Sequence, residues 1–186
     1  MKFRDTIILD TETTGLLVPE ASLLEHQPYI TELYAMRVDH KGNLIDEFET
    51  FFKVPVPLEK HIIKLTGITD NMLQGAPEFA EEYKNLVEFF MGTRRMVAHN
   101  LPFDAGMLWA ELSRIGKEFM FPWPPEYYCT IEKSFHIENK RIKLSRLHEH
   151  ATGKEFKEGA HRAKQDVFAL KRCYDWLVEE RNDGIT

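Results

Sequence analysis

Cysteine is scarce in this chain: Cys129 and Cys173 are the only two in 186 residues, they lie far apart, and they form no Cys-x-x-Cys pair. That usage excludes a disulfide framework and a thiolate zinc site, and it points to a reducing cytoplasm. Long apolar runs are also missing. Nothing approaches the roughly 18 to 20 residues of a membrane span, and MKFRDTIILD reaches an acid too soon for a signal peptide. No repeat or low-complexity segment occurs. Basic charge is in deficit, with 24 Lys and Arg against 30 Asp and Glu and a net charge of -6. Any contact with nucleic acid must therefore be local rather than spread over a phosphate-neutralising surface. What is present is 43% hydrophobic content, enough for one globular domain over residues 1–186.

The periodicity of the chain changes along its length. TIILD reads as a short apolar strand, and residues 29–54 read as two strands around the turn Lys41-Gly42-Asn43, giving three early strands in antiparallel order. PVPLEKHIIKLTGITDNML mixes prolines with short apolar pieces and predicts an irregular link with one or two short helices. Phe79, Tyr83, Leu86, Val87 and Phe90 fall at helical spacing, with Pro77 suited to a first turn. RRMVAH is a further strand and AGMLWAELSRIG a helix closed by Gly116, so a parallel pairing is expected across it. After the proline-rich FMFPWPPEYYCT, the last element is a helix whose Ala163, Val167, Leu170, Tyr174 and Leu177 trace one face. Strands first, then helices alternating with strands, predict an α/β domain with a mixed central sheet and flanking helices.

Acids stand at the ends or inner faces of these elements. Asp10 and Glu12 are two apart, so on an extended chain both leave the same face, where like charges repel unless a cation lies between them. A lone Asp-x-Glu before Thr13-Thr14-Gly15 would ordinarily be a solvated turn. At about 100° per residue, Asp166 falls on the core-facing stripe of the last helix, where a carboxylate needs a cation, a metal or a donor. Asp104 follows the strand end His99-Asn100 at a natural N-cap position, and capping alone would explain it. Together, oxygen donors without zinc-type spacing favour Mg²⁺ or Mn²⁺, and a pair of such ions is a known device for phosphodiester cleavage. His161 offers a base. On one helix it would point about 140° from Asp166, so it shares a site only from outside that helix, and Gly159 makes such a break reasonable.

In order and separation, DTETTGL, VAHNLPFD and HRAKQD resemble the three motifs of the DEDDh 3′→5′ exonucleases of the proofreading epsilon-subunit type, and TGITDNML and YYCT are similar to further segments of that family. The resemblance implies a ribonuclease H-like fold. It implies that Asp10, Glu12, Asp104 and Asp166 bind two divalent cations, Mg²⁺ or Mn²⁺, with His161 as general base. It further implies that Thr13, Leu16, Asn100 and Phe103 hold the 3′-terminal nucleotide, Leu16 and Phe103 as apolar wedges against the last bases. Thr66 replaces a histidine frequent in proofreading members, and Tyr34 stands where many relatives have a small residue.

The expected substrate is the 3′ end of single-stranded or frayed DNA, with nucleoside monophosphates as products. An exoribonuclease of the ribonuclease T or oligoribonuclease type is the alternative, and an inactive nucleic-acid-binding module a second one. A polymerase or other replication protein is an expected partner, although an end at RNDGIT, directly after the last helix, leads to the expectation of a standalone or accessory enzyme. The cationic stretch with Lys133, Lys140, Arg141, Lys143 and Arg146 either guides the strand or forms a solvated face.

Overall fold

The computed structural model describes residues 5–18, 23–156 and 162–182. Among these, β1 (Asp5–Thr13), β2 (Ile30–Val38), β3 (Leu44–Phe51), β4 (Thr93–Ala98) and β5 (Glu126–Cys129) form one mixed sheet in the order β3-β2-β1-β4-β5. The first three strands pair antiparallel, β2 and β3 through the Lys41-Gly42-Asn43 turn, while β4 pairs parallel with both β1 and β5. The expected strand arrangement is therefore present. Helices α1 (Lys60–Thr66) and α2 (Asp70–Leu73) occupy the proline-rich link; α3 (Phe79–Phe90) and α4 (Leu101–Arg114) bracket β4 in sequence. The short α5 (Thr130–Lys133) and α6 (Phe135–Glu138) lead to α7 (Leu144–Thr152) and the long α8 (Ala163–Asn182). None of the described helices is long and apolar enough to cross a membrane.

Two helix boundaries differ from the periodic pattern. Glu78, not Pro77, precedes the first residue of α3, and its side chain forms a capping box with Glu81, so the proline sits before the helix. Helix α4 begins at Leu101, with Pro102 in its first turn and Asn100 at the N-cap position. Asp104 is consequently inside the first turn rather than at the cap.

β1 is the central strand, and its alternation assigns each residue to a layer. Ile7 and Leu9 pack with Leu86 and Phe90 of α3 and Met107 and Leu112 of α4. Ile8 packs on the opposite face with Val167, Leu170 and Leu177 of α8. Burial on both faces explains the uninterrupted apolar run at the start of the strand. The same period of two carries on past the apolar residues, so Asp10 and Glu12 share the α8 face and Thr11 the α4 face.

Helix α8 is joined to the sheet by an ion pair. Glu32 of β2, wholly buried, accepts from Arg162 Nη2 at 2.8 Å and Nε at 3.0 Å and from the Ala163 amide at 3.3 Å. The Arg162 carbonyl in turn accepts from the Asp166 amide at 3.2 Å. The start of α8, and with it Asp166, is thus tied to the strand beside β1. Removing one partner of a buried pair leaves an uncompensated charge, at a typical cost of about 3–5 kcal/mol. Arg162→Met is accordingly expected to lose stability on that scale in urea unfolding, and the double variant Arg162→Met/Glu32→Gln to recover part of it.

Candidate active site

Asp10 and Glu12 reach the α8 face from the end of β1, paired across the ladder with Tyr34 and Glu32 respectively. The ladder becomes irregular after Glu12, where the chain leaves the sheet. From α8, Asp166 comes up between the buried Ala163 and Leu170. One carboxylate oxygen from each of Asp10, Glu12 and Asp166 lies within 4.8 Å of the other two. Residues far apart in sequence meet because a strand end and a helix start are stacked on one another.

Asp104 arrives from the other layer. Its Oδ1 accepts from the Thr11 amide at 3.1 Å and from Thr11 Oγ1 at 2.9 Å, so β1 holds it through the one residue between Asp10 and Glu12. It is almost fully buried. Burial pushes the Asp104 carboxyl up to about 7 against the opposing effect of the Thr11 hydrogen bonds. Asp10 is held well above the usual carboxylate range, first by burial and then by the charges of Asp104, Glu12, Asp166 and Glu32. Glu12 rises to about 8 through burial and the nearby Asp166, Glu32 and Asp104, with Arg162 pulling the other way. An all-oxygen cluster that resists ionisation in this way suits a hard divalent cation, whose charge offsets the repulsion. The Arg162 guanidinium is engaged by Glu32 and does not take that place.

The residues expected to hold the terminal nucleotide are more scattered in their environments. Thr13 Oγ1 donates to the Gly15 carbonyl at 2.7 Å and so shapes the loop after β1. Leu16 in that loop is 81% exposed. Its neighbour Leu17 packs closely on α4 at Gly106: a Cβ there would lie 2.6 Å from Leu17 Cδ1, so the leucine side chain would have to shift. Phe103 packs against the α3/α4 core cluster. The Asn100 side chain makes no cap bond, and its Oδ1 accepts from Arg141 Nη2 at 2.9 Å. His161 lies outside the described residues; α8 starts two positions later, at Ala163.

Three further residues take on definite roles. Thr66 is buried, donating to the Ile62 carbonyl and accepting from the Ile68 amide, so it closes α1. Tyr34 donates its hydroxyl to Glu47 and lays its ring against Phe168, filling the space beside Asp10. His99, unassigned in the sequence pattern, contacts Thr130 Oγ1 at 2.9 Å through Nδ1 and the Ile142 carbonyl at 3.0 Å through Nε2. Burial first, then Arg141, depresses its pKa to about 4, so it is neutral near pH 7. Because a carbonyl only accepts, Nε2 carries the proton and Nδ1 accepts from the threonine.

Comparison with known proteins is consistent with this geometry. Residues 7–174 match the RNase_T family, described as exonuclease. The chain is 40% identical over 112 residues, 60% of its length, to the DNA polymerase III PolC-type protein of Bacillus cereus. It is 30% identical over 176 residues, 94% of its length, to that of Caldanaerobacter subterraneus subsp. tengcongensis. The matches span only 7% and 12% of those proteins. Among solved structures, the nuclease domain of 3′hExo, a DEDDh family member bound to rAMP, superposes with a TM-score of 0.70 at 18% identity over 96% of this chain and 93% of that one. Exonuclease X in complex with 5′-overhanging duplex DNA gives 0.62 at 19% identity over 97% and 94%. These likenesses establish the ribonuclease H-like fold, and with the family match over most of its length the chain belongs to the DEDDh 3′→5′ exonuclease family.

Proposed function

We propose that the chain, as one exonuclease domain over residues 1–186, removes nucleoside monophosphates from the 3′ end of single-stranded or frayed DNA in the cytoplasm. The observation that carries this reading is the meeting of Asp10, Glu12 and Asp166 at one point, with Asp104 held against the same strand by Thr11. These four acids would hold two divalent cations, Mg²⁺ or Mn²⁺. Bound there, the cations supply charge that offsets the build-up on the phosphoryl oxygens during in-line displacement. His161 is the general base that takes the proton of the attacking water. Thr13, Leu16, Asn100 and Phe103 bind the last nucleotide, Leu16 as an exposed apolar edge that meets bases without regard to their identity.

DNA is favoured over RNA because the curated relatives are DNA polymerase III proteins at 30–40% identity, and they also suggest a polymerase or other replication protein as partner. One solved neighbour concerns histone mRNA recognition by a 3′-exonuclease and another was bound to rAMP, which keeps an exoribonuclease as the second reading. Degradation of matched 5′-labelled DNA and RNA strands, with Mg²⁺ or Mn²⁺ and with EDTA, separates the two. The expected result is a metal-dependent ladder shortening from the 3′ end, faster on DNA. Asp10→Ala and Asp166→Ala should each lower the rate by about 10²–10³-fold, the scale on which one preorganised charge stabiliser is lost. An unchanged rate in both variants would sink the site assignment.

The protons retained by the cluster generate a second expectation. Glu12 ordinarily titrates near 4.5 but near 8 in the folded chain, so the metal-free fold keeps a proton that the unfolded chain gives up. Such a group contributes most below its unfolded value, and its contribution is lost as pH rises towards 8. Thermal melts of metal-free protein should therefore fall between pH 5 and 8, less steeply in Glu12→Gln. Added Mg²⁺ should raise the melting temperature more at pH 8 than at pH 6, because at pH 6 it must displace protons. Equal stabilisation at both values would contradict cation binding by this cluster.

A further inference from the structure

Five cations mark the stretch between Lys133 and Arg146, and the fold treats them differently. Lys140 and Arg146 are both paired with Glu138, at 3.0 Å each, and Arg146 also reaches Glu149. Lys133 lies over the Tyr128 ring, 5.7 Å from its centroid. Arg141 and Lys143 remain. Arg141 gives one guanidinium nitrogen to the neutral oxygen of Asn100 rather than to a carboxylate, and no carboxylate among the described residues is paired with Lys143.

These two flank Ile142, which is buried and whose carbonyl accepts from neutral His99 at the end of β4. Arg141 and Lys143 are both exposed while Ile142 between them is buried. His99 therefore bolts the segment in place with both cations facing outward. Both border one cavity of about 460 Å³ that also includes Asp10 and Asp166 in its walls, with Ile131 and Ile142 as apolar lining. A polyanionic strand brought to that acidic cluster meets repulsion, and in this cavity Arg141 and Lys143 are the groups that can offset it. The planar guanidinium fork and the compact ammonium are complementary means of holding phosphate oxygens.

We infer that Arg141 and Lys143 form a phosphodiester-binding subsite beside the carboxylate cluster, gripping a backbone phosphate of the strand whose 3′ end is cleaved. The subsite extends the grip beyond the terminal nucleotide and rests on the exonuclease reading given above. It also links substrate to Asn100, because the guanidinium that meets the phosphate is the one that holds that side chain.

The test is fluorescence anisotropy of a 5′-fluorescein oligothymidylate octamer, with Ca²⁺ in place of Mg²⁺ and strand integrity checked by gel, across 50–200 mM salt. Loss of one neutralised phosphate should raise Kd by about fivefold near 0.1 M salt and flatten the slope of log K against log salt by about 0.7, the contribution of each single-stranded phosphate. Arg141→Ala/Lys143→Ala is the main variant. Lys143→Glu, which leaves the Arg141 to Asn100 bond intact, should weaken binding in the same direction. Lys60→Ala/Lys84→Ala removes the same charge from exposed helix positions far along the chain and should shift Kd less than twofold. If the Arg141/Lys143 variant keeps the wild-type Kd and slope, or if the control pair loses as much, the subsite is overturned. Cleavage by the wild type in Mg²⁺ is scored separately: intact strands would overturn the exonuclease reading, whereas the binding data alone decide the subsite.

Discussion

The pairing of buried Glu32 with Arg162 is the interaction on which the arrangement of this molecule turns. It is formed between β2 and the residue just before α8, so it fixes where a twenty-residue helix begins relative to the central strand. Glu32 also accepts from the Ala163 amide, compensating one of the donors that a helix start leaves unsatisfied. Every residue of the first turn inherits its position from this contact. Asp166 is the one that matters chemically, because its own amide closes on the Arg162 carbonyl.

That pairing also sets the electrostatic character of the cleft. A guanidinium close to Glu12 would be the simplest neutraliser of the acids, yet it is spent on Glu32, and the Arg162 side chain lies 5.1 Å from the Phe51 ring centroid. The acids are left with burial and with one another, and their protonation equilibria move upward as a result. A cluster of this kind is destabilising in isolation and becomes favourable with added positive charge. Holding Asp104 through Thr11 rather than through another acid keeps one carboxylate oriented while its neighbours remain available.

Much of this was legible because local rules and global structure agree. The period of two along β1 places Asp10 and Glu12 on one face, and the helical stripe of α8 puts Asp166 inward; both hold in the folded chain. The three motifs carried the family. Less visible was Asp104, for which the sequence favours a cap: Pro102 fits a helix's first turn, so α4 begins four residues earlier than its apolar pattern suggests. Glu32 gave no signal, since an acid inside a strand between Thr31 and Leu33 looks like any surface alternation until the opposing face proves to be covered by α8. His99 was equally silent, its partner being a backbone carbonyl more than forty residues away.

The basic stretch marks the boundary between the two kinds of information. Its composition determined that positive charge is concentrated between residues 133 and 146, and the acidic motifs determined which chemistry the chain can host, because residue type and short-range period survive any packing. Which cations face the cleft was decided only by tertiary structure. Glu138 takes up Lys140 and Arg146, while His99 anchors Ile142 and leaves Arg141 and Lys143 beside Asp10 and Asp166. Charge is a property of the residue, but its availability depends on which partners the fold brings within a few ångströms, and those partners are distant in the chain.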